Sequence, residues 1–175
     1  DWDLNRQNTV LGGCALGHAV YMGANKLETV KVLLNVGARL DYRTFAGGTI
    51  LTGVSQNEDS DPEVVRVALE KLKLHSNRLS FVNYQRQSTS FKWKCIRCVA
   101  KILYRTGVST SRLMAYLAME SGMTPLCFAV MRGDVEIVKL LLDNGADPFL
   151  ENDLGMNAFG ICEKYGPFPS VMNVL

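Results

Sequence analysis

The residues of this chain best suited to do chemistry are its five cysteines and two histidines. Cys95 and Cys98 have CxxC spacing, but a zinc site needs a second pair of ligands, and His18 and His75 stand alone. No nucleophile, phosphate-binding or metalloprotease motif accompanies them. We therefore expect no enzyme, no cofactor and no metal, and we interpret the two cysteines as small packing residues of a helix.

Charge is unevenly distributed along the chain. The net charge of the 175 residues is only +2, yet residues 71–119 contain ten basic and no acidic side chains. The flanks are acidic, with six basic against nine acidic residues before this block and three against eight after it. A basic block between acidic flanks needs a structural or functional explanation.

Composition limits the class of protein. The chain is 47% apolar and 21% charged, which is typical of a globular domain. No run approaches the roughly 18 apolar residues of a membrane-spanning helix, so we expect no transmembrane segment. The odd number of separated cysteines is typical of a reducing compartment, and we expect an intracellular location, cytoplasmic or nuclear.

The basic block contains a helix whose charges share one side. A cap at Ser88–Ser90 predicts a helix over residues 91–105, and a second short helix is expected within residues 109–119. Spacings of three, four and four place four basic residues of the first helix in one stripe: Lys94, Arg97, Lys101 and Arg105. Three interpretations stay open for the stripe: a solvated outer face, a surface that binds a phosphoinositide, nucleic acid or acidic protein, and attraction to the acidic flanks.

A pattern with a period of about 35 residues recurs along the chain. Residues 123–148 read Thr-Pro-Leu at a helix start, Gly between two helices, Val-Lys-Leu-Leu-Leu in the second helix and Gly-Ala-Asp at its exit. The frame recurs over residues 13–38 and 48–69. One such unit cannot bury its apolar stripe alone, so neighbouring units are predicted to stack into a solenoid.

These motifs resemble the ankyrin repeat. The resemblance implies an all-α solenoid of stacked helix-turn-helix units with an enlarged, irregular central unit. We interpret residues 1–175 as one array with five approximate units, of which the third is diverged and the last incomplete: 12–46, 47–76, 77–121, 122–154 and 155–175. Val99–Val108 aligns with Ile137–Ala146 and is expected to be the second helix of the diverged unit. A start without methionine suggests a fragment of a longer protein, monomeric as a fragment.

The resemblance also implies a function. Ankyrin arrays bind other proteins on a concave face of finger tips and first helices, so we expect a protein–protein interaction module or scaffold whose partner is another protein. Carried onto this chain, the expected partner-binding positions are His18, Tyr21, Met22, Tyr42, Arg43, Phe45, Phe128, Met131, Arg132, Leu150 and Glu151. For His18 we favour a structural hydrogen bond, and an acidic ligand on the basic helix is the alternative function.

Overall fold

A computed structural model describes residues 3–22, 26–57, 59, 61–74, 76–108 and 111–175. Within these ranges the regular elements are all helices, which confirms the all-α prediction. In chain order they are α1 (Ala15–Met22), α2 (Lys26–Asn35), α3 (Ile50–Gln56), α4 (Pro62–Leu72), α5 (Arg78–Val82), α6 (Phe91–Arg105), α7 (Arg112–Met119), α8 (Pro125–Arg132), α9 (Val135–Asp143), α10 (Ala158–Tyr165) and α11 (Pro169–Met172).

Local sequence sets the ends of the helices. The hydroxyl of Thr124 accepts a hydrogen bond from the backbone N–H of Cys127, and a proline follows as the first residue of α8. Gly133 ends α8 with a left-handed backbone (φ +74°), which glycine adopts at little cost. Asp134 then caps α9 through the N–H of Ile137. This confirms the predicted order of cap, proline, helix, glycine and second helix.

Four helical hairpins form the array: α1–α2, α3–α4, α8–α9 and α10–α11. Their first helices pack in the order α1, α3, α8, α10, and their second helices in the order α2, α4, α9, α11. A single apolar core runs through all four hairpins, and central side chains such as Leu16, Leu51, Leu126 and Ile161 are almost fully buried in it. Each hairpin therefore buries its apolar side against its neighbours, as in a solenoid.

The central segment departs from the expected arrangement. Val99–Val108 is not the second helix of a stacked third repeat, because α3 and α4 contact α8 and α9 directly. The helices α6 and α7 instead pack against each other. Helix α6 buries only Arg97 and Ala100 among its 15 residues, so it lacks the broad apolar stripe of a stacked helix. We call α6 and α7 the helix pair.

The helix pair is inserted in one of the connections between hairpins, which we call fingers. The first finger is residues 36–49, the second is residues 73–124 and the third is residues 144–157. The sides of the second finger are joined by two backbone hydrogen bonds, from Arg86 N to Met123 O (2.9 Å) and from Gly122 N to Arg86 O (2.8 Å). The helix pair lies between these two sides, at the tip of the second finger.

The first and second fingers touch closely. A Cβ on Gly47 would lie 2.1 Å from the carbonyl oxygen of Gln87, and this glycine has a positive φ of +81°. Only glycine fits there, because a side chain would collide with backbone and also strain its own. The backbone N–H of Thr89 donates to the carbonyl of Phe45 (3.1 Å) just before α6 begins. The start of the helix pair is thus fixed against the first finger.

None of the helices in the described ranges is both long and apolar enough to cross a membrane.

Candidate functional site

The helix pair lies over the side of the array that carries the fingers and first helices. At the first finger, Arg97 Nη2 donates to the carbonyl of Ala46 (2.8 Å). At the third finger, Lys101 Nζ lies 2.7 Å from the carboxylate of Asp153, and Arg105 Nη2 donates to the carbonyl of the same residue (3.1 Å). Helix α6 therefore bridges the tips of the first and third fingers.

Side chains of the helix pair also reach the first helices of the array. The hydroxyl of Tyr116 on α7 accepts a hydrogen bond from the amide of Gln56 on α3. The hydroxyl of Tyr104 on α6 accepts one from Lys164 Nζ on α10 (2.5 Å). Burial raises the pKa of Tyr116 to about 12. The surface expected to meet a partner is thus partly occupied by helices of the same chain.

A buried carboxylate holds the helix pair to the array. Glu120, just after α7, lies 2.6 Å from Arg97 Nη2 and 3.2 Å from Arg86 Nη1, and all three side chains are at most 7% exposed. Arg86 also donates to the side chain of Gln56 (2.9 Å). Burial lowers the pKa of Arg97 from its ordinary value, and the charge of Glu120 opposes this shift. One carboxylate is thus ion-paired with two guanidinium groups from different segments.

At the third finger a carboxylate again pairs with groups from the second finger, but this contact is partly exposed to solvent. The carboxylate of Asp153 accepts hydrogen bonds from Lys101 Nζ and from Ser121 Oγ, each at 2.7 Å. Burial alone would raise the pKa of Asp153, but these hydrogen bonds and the positive charges of Lys101 and Arg97 together outweigh it and hold the pKa below its ordinary value. The ionised carboxylate is therefore favoured where the finger meets the helix pair.

These contacts correct one interpretation of the basic stripe. Arg97 is buried against Glu120, Lys101 is paired with Asp153 and Arg105 bonds to the same finger, so the stripe does not face an external anion as one surface. Only Lys94 among the four points to solvent with no partner in the part of the chain that the structure describes. Attraction to the acidic flanks is the interpretation that these contacts support.

Two of the expected partner-binding residues are buried, and placing them on the surface was wrong. Phe128 is fully buried in α8, between α3 and α10, with the Arg86 guanidinium 5.6 Å from its ring centroid. Tyr42 is 7% exposed. A Cβ on Gly17 would lie only 3.1 Å from the ring of Tyr42. Burial raises the pKa of Tyr42 well above its ordinary value. The ring of Tyr42 fits in the core because Gly17 has no side chain, whereas the Arg86 guanidinium covers the ring of Phe128.

The remaining candidates lie at least partly at the surface. Arg132 has a structural task, since its Nη1 donates to the carbonyls of Val54 and Ser55 near the end of α3 (3.4 and 3.3 Å). His18 Nε2 lies 2.8 Å from the side-chain amide of Asn8, which confirms its predicted hydrogen-bonding role. The side chain of Met22, like all of His75, lies outside the described residues. The others are exposed, namely Arg43 and Glu151, or half-buried, namely Tyr21, Phe45, Met131 and Leu150.

An open cavity of about 390 Å³ remains between the helix pair and the N-terminal hairpin. Its walls come from α1, from the first finger and from the first turn of α6, and we call it the α1 groove. The side chains that define it are Leu11, His18, Tyr21, Ala46, Arg86 and Trp93. Trp93 was not among the binding residues predicted from the sequence, because its helix was expected to stack as a repeat and not to lie across the fingers.

Among the described residues, no group of three histidine, cysteine, aspartate or glutamate side chains is placed to hold a metal ion. The three cysteines Cys14, Cys127 and Cys162 are buried, whereas Cys95 and Cys98 are exposed. The prediction that Cys95 and Cys98 are packing residues was therefore wrong, because both lie on the exposed side of α6.

Stacked helical hairpins joined by projecting fingers define the class of helical solenoid proteins. Residues 121–153 match the sequence model of the family Ankyrin repeat. A protein of Treponema pallidum (strain Nichols), described as ankyrin repeat-containing, is 35% identical over 69 residues, which are 39% of this chain and 22% of that protein. With the stacked hairpins, these matches support the predicted resemblance to ankyrin-repeat proteins. It matches only about a fifth of the length of this relative. Ankyrin repeats are in general non-enzymatic protein–protein interaction modules.

Proposed function

We propose that this chain binds a partner protein on the finger side of the array, in the α1 groove. The observation that carries the proposal is an open, mainly apolar cavity of about 390 Å³ on the face where the helix pair leaves the array uncovered. Farther along the array the same face is held by α6 and α7 through Glu120 and Asp153. The proposed site is therefore smaller than the whole concave face expected from the resemblance.

The groove suits the insertion of an apolar side chain. Tyr21 and Trp93, which are half-buried, line it together with Leu11, which is 50% exposed. Tyrosine and tryptophan in a confined pocket are the residue types that most often dominate binding free energy at interfaces. His18 and Arg86 supply polar groups at the same cavity, which favours a peptide with hydrogen-bonding groups beside its apolar anchor.

Replacement of Trp93 by alanine tests this proposal. Peptides selected from a phage-displayed library against the whole chain are expected to bind Trp93→Ala at least about tenfold more weakly, since one wall of the groove is lost. Leu113→Ala is the matched control, because Leu113 lies on α7, is 61% exposed and does not line the groove. Isothermal titration calorimetry measures both affinities, and circular dichroism checks the helix content. Equal affinity of the selected peptides for wild type and Trp93→Ala would place the binding site elsewhere.

A further inference from the structure

The outer face of α6 carries an apolar stripe that nothing in the described chain covers. Phe91, Val99 and Ile102 are 81%, 53% and 57% exposed, respectively, and Cys95 and Cys98 are exposed as well. These five residues, which we call the outer seam, share one side of the helix because they follow each other at intervals of four, three, one and three. Large exposed apolar side chains in one stripe mark a docking surface more often than isolated ones do.

The seam cannot turn inward, because the opposite side of α6 is already engaged. Arg97 is held by Glu120, Ala100 is fully buried, and Lys101 is paired with Asp153. Helix α7 packs against α6 as well. With these contacts in place, the orientation of α6 is fixed and the seam is presented to solvent.

The spacing of the seam fits a second helix. The first, second, third and last of its residues, Phe91, Cys95, Cys98 and Ile102, alternate intervals of four, three and four, as along the contact line of a coiled coil. The stripe extends from Phe91 to Ile102, a distance of about 16 Å along the helix axis. A partner helix of roughly three to four turns would cover it.

The basic residues beside the seam indicate which kind of helix could bind there. Lys92 and Lys94 at its edges are exposed and have no acidic partner among the described residues, and Arg105 lies exposed near its end. The chain contains no acidic residue between positions 71 and 119. Pairing the seam with a second copy of itself would set basic edges against basic edges. An amphipathic helix with acidic edges would meet them with opposite charge.

We propose that the outer seam docks an acidic amphipathic helix of a partner protein. The partner helix contributes apolar side chains at heptad spacing to the seam and glutamate or aspartate to its lysine edges. This surface is separate from the α1 groove, because Trp93 lines the groove whereas Phe91 does not. The seam is narrow and contains one aromatic residue and two cysteines, whereas helices that lie in a membrane interface present a broad apolar face rich in Trp, Phe and Leu.

The proposal is tested with a designed peptide of about three heptads, with leucine at the two core positions and glutamate at the flanking positions. Fluorescence anisotropy with the whole chain is expected to show binding that weakens severalfold as the salt concentration rises. The double variant Val99→Ser, Ile102→Ser is expected to bind at least about tenfold more weakly. Leu74→Ser is the matched control, because Leu74 is 84% exposed but lies outside the seam. Trp93→Ala should bind this peptide like wild type, which separates the seam from the groove.

Four outcomes would overturn the proposal. The glutamate peptide could fail to bind, or a peptide with lysine at the flanking positions could bind equally well. Vesicles of phosphatidylserine and phosphatidylcholine could bind the chain in place of the peptide and lose affinity in the same double variant, which would assign the seam to a membrane. Sedimentation could instead show a dimer that the double variant dissociates, which would assign it to a second copy.

Discussion

Glu120→Gln is expected to lower the free energy of unfolding by about 3–5 kcal/mol, one of the two largest effects that we predict. The substitution leaves the shape of the side chain nearly unchanged but removes the negative charge with which Arg86 and Arg97 are ion-paired. Both guanidinium groups are at most 7% exposed, so each would remain charged and buried without its carboxylate. Unfolding in urea, followed by far-ultraviolet circular dichroism, measures the loss.

The control for this variant is Glu163→Gln on α10. Glu163 is exposed and makes no ion pair in the described part of the chain, so its replacement is expected to change stability by no more than about 0.5 kcal/mol. Tryptophan fluorescence adds a local readout, because release of α6 would expose Trp93 and shift its emission to longer wavelength. If Glu120→Gln were as stable as the control, the buried cluster would not hold the helix pair to the array.

Phe128→Ala is expected to cost about 3–5 kcal/mol of unfolding free energy. Its ring is fully buried in the central hairpin, so truncation leaves a cavity that the neighbouring helices cannot close. Phe91→Ala removes the same ring from a site that is 81% exposed and is expected to cost less than about 0.5 kcal/mol.

Urea unfolding of the two phenylalanine variants, measured side by side, checks this prediction. A loss for Phe128→Ala no greater than that for Phe91→Ala would place Phe128 at the surface, as the resemblance alone implied. A partner-binding assay with Phe128→Ala would be misleading in either case, since loss of binding could follow from loss of folding.

The hairpins were predictable because their signals are local. Thr124, Pro125 and Gly133 act within a few residues of each other, and each sets a helix end through its own backbone preference or cap. The bounds of α6 followed from the serine at its N-cap position, Ser90, and from the periodicity after it, although the Ser90 side chain makes no capping hydrogen bond. Such features do not depend on distant parts of the chain.

The placement of the helix pair was not predictable from the same signals. The spacing of Val99–Val108 imitates a second repeat helix, and periodicity alone does not say which neighbour a helix will face. The deciding contacts are remote in sequence, since Glu120 is 23 residues from Arg97 and Asp153 is 52 residues from Lys101. The alternation of acidic, basic and acidic segments was the one signal that indicated these pairs.

The candidate site was only partly predictable, because some of its residues come from the insertion and not from the repeats. The positions that bind partners in ankyrin repeats, carried onto this chain, included His18 and Tyr21, which lie at the α1 groove. It could not identify Trp93, because that residue belongs to an insertion with no equivalent in a regular repeat. It also misplaced Phe128, where a guanidinium from the second finger covers a ring that would otherwise face the fingers.

Carbodiimide cross-linking tests the central claim, that the helix pair lies across the finger side of the array. The reagent joins an amine to a carboxylate only where they touch, and Lys101 Nζ lies 2.7 Å from the Asp153 carboxylate. Mass spectrometry is expected to find an amide between these two residues in wild type and none in Lys101→Arg. Absence of this cross-link, in a sample where Lys31 and Glu28 (3.1 Å apart) are joined, would contradict the account.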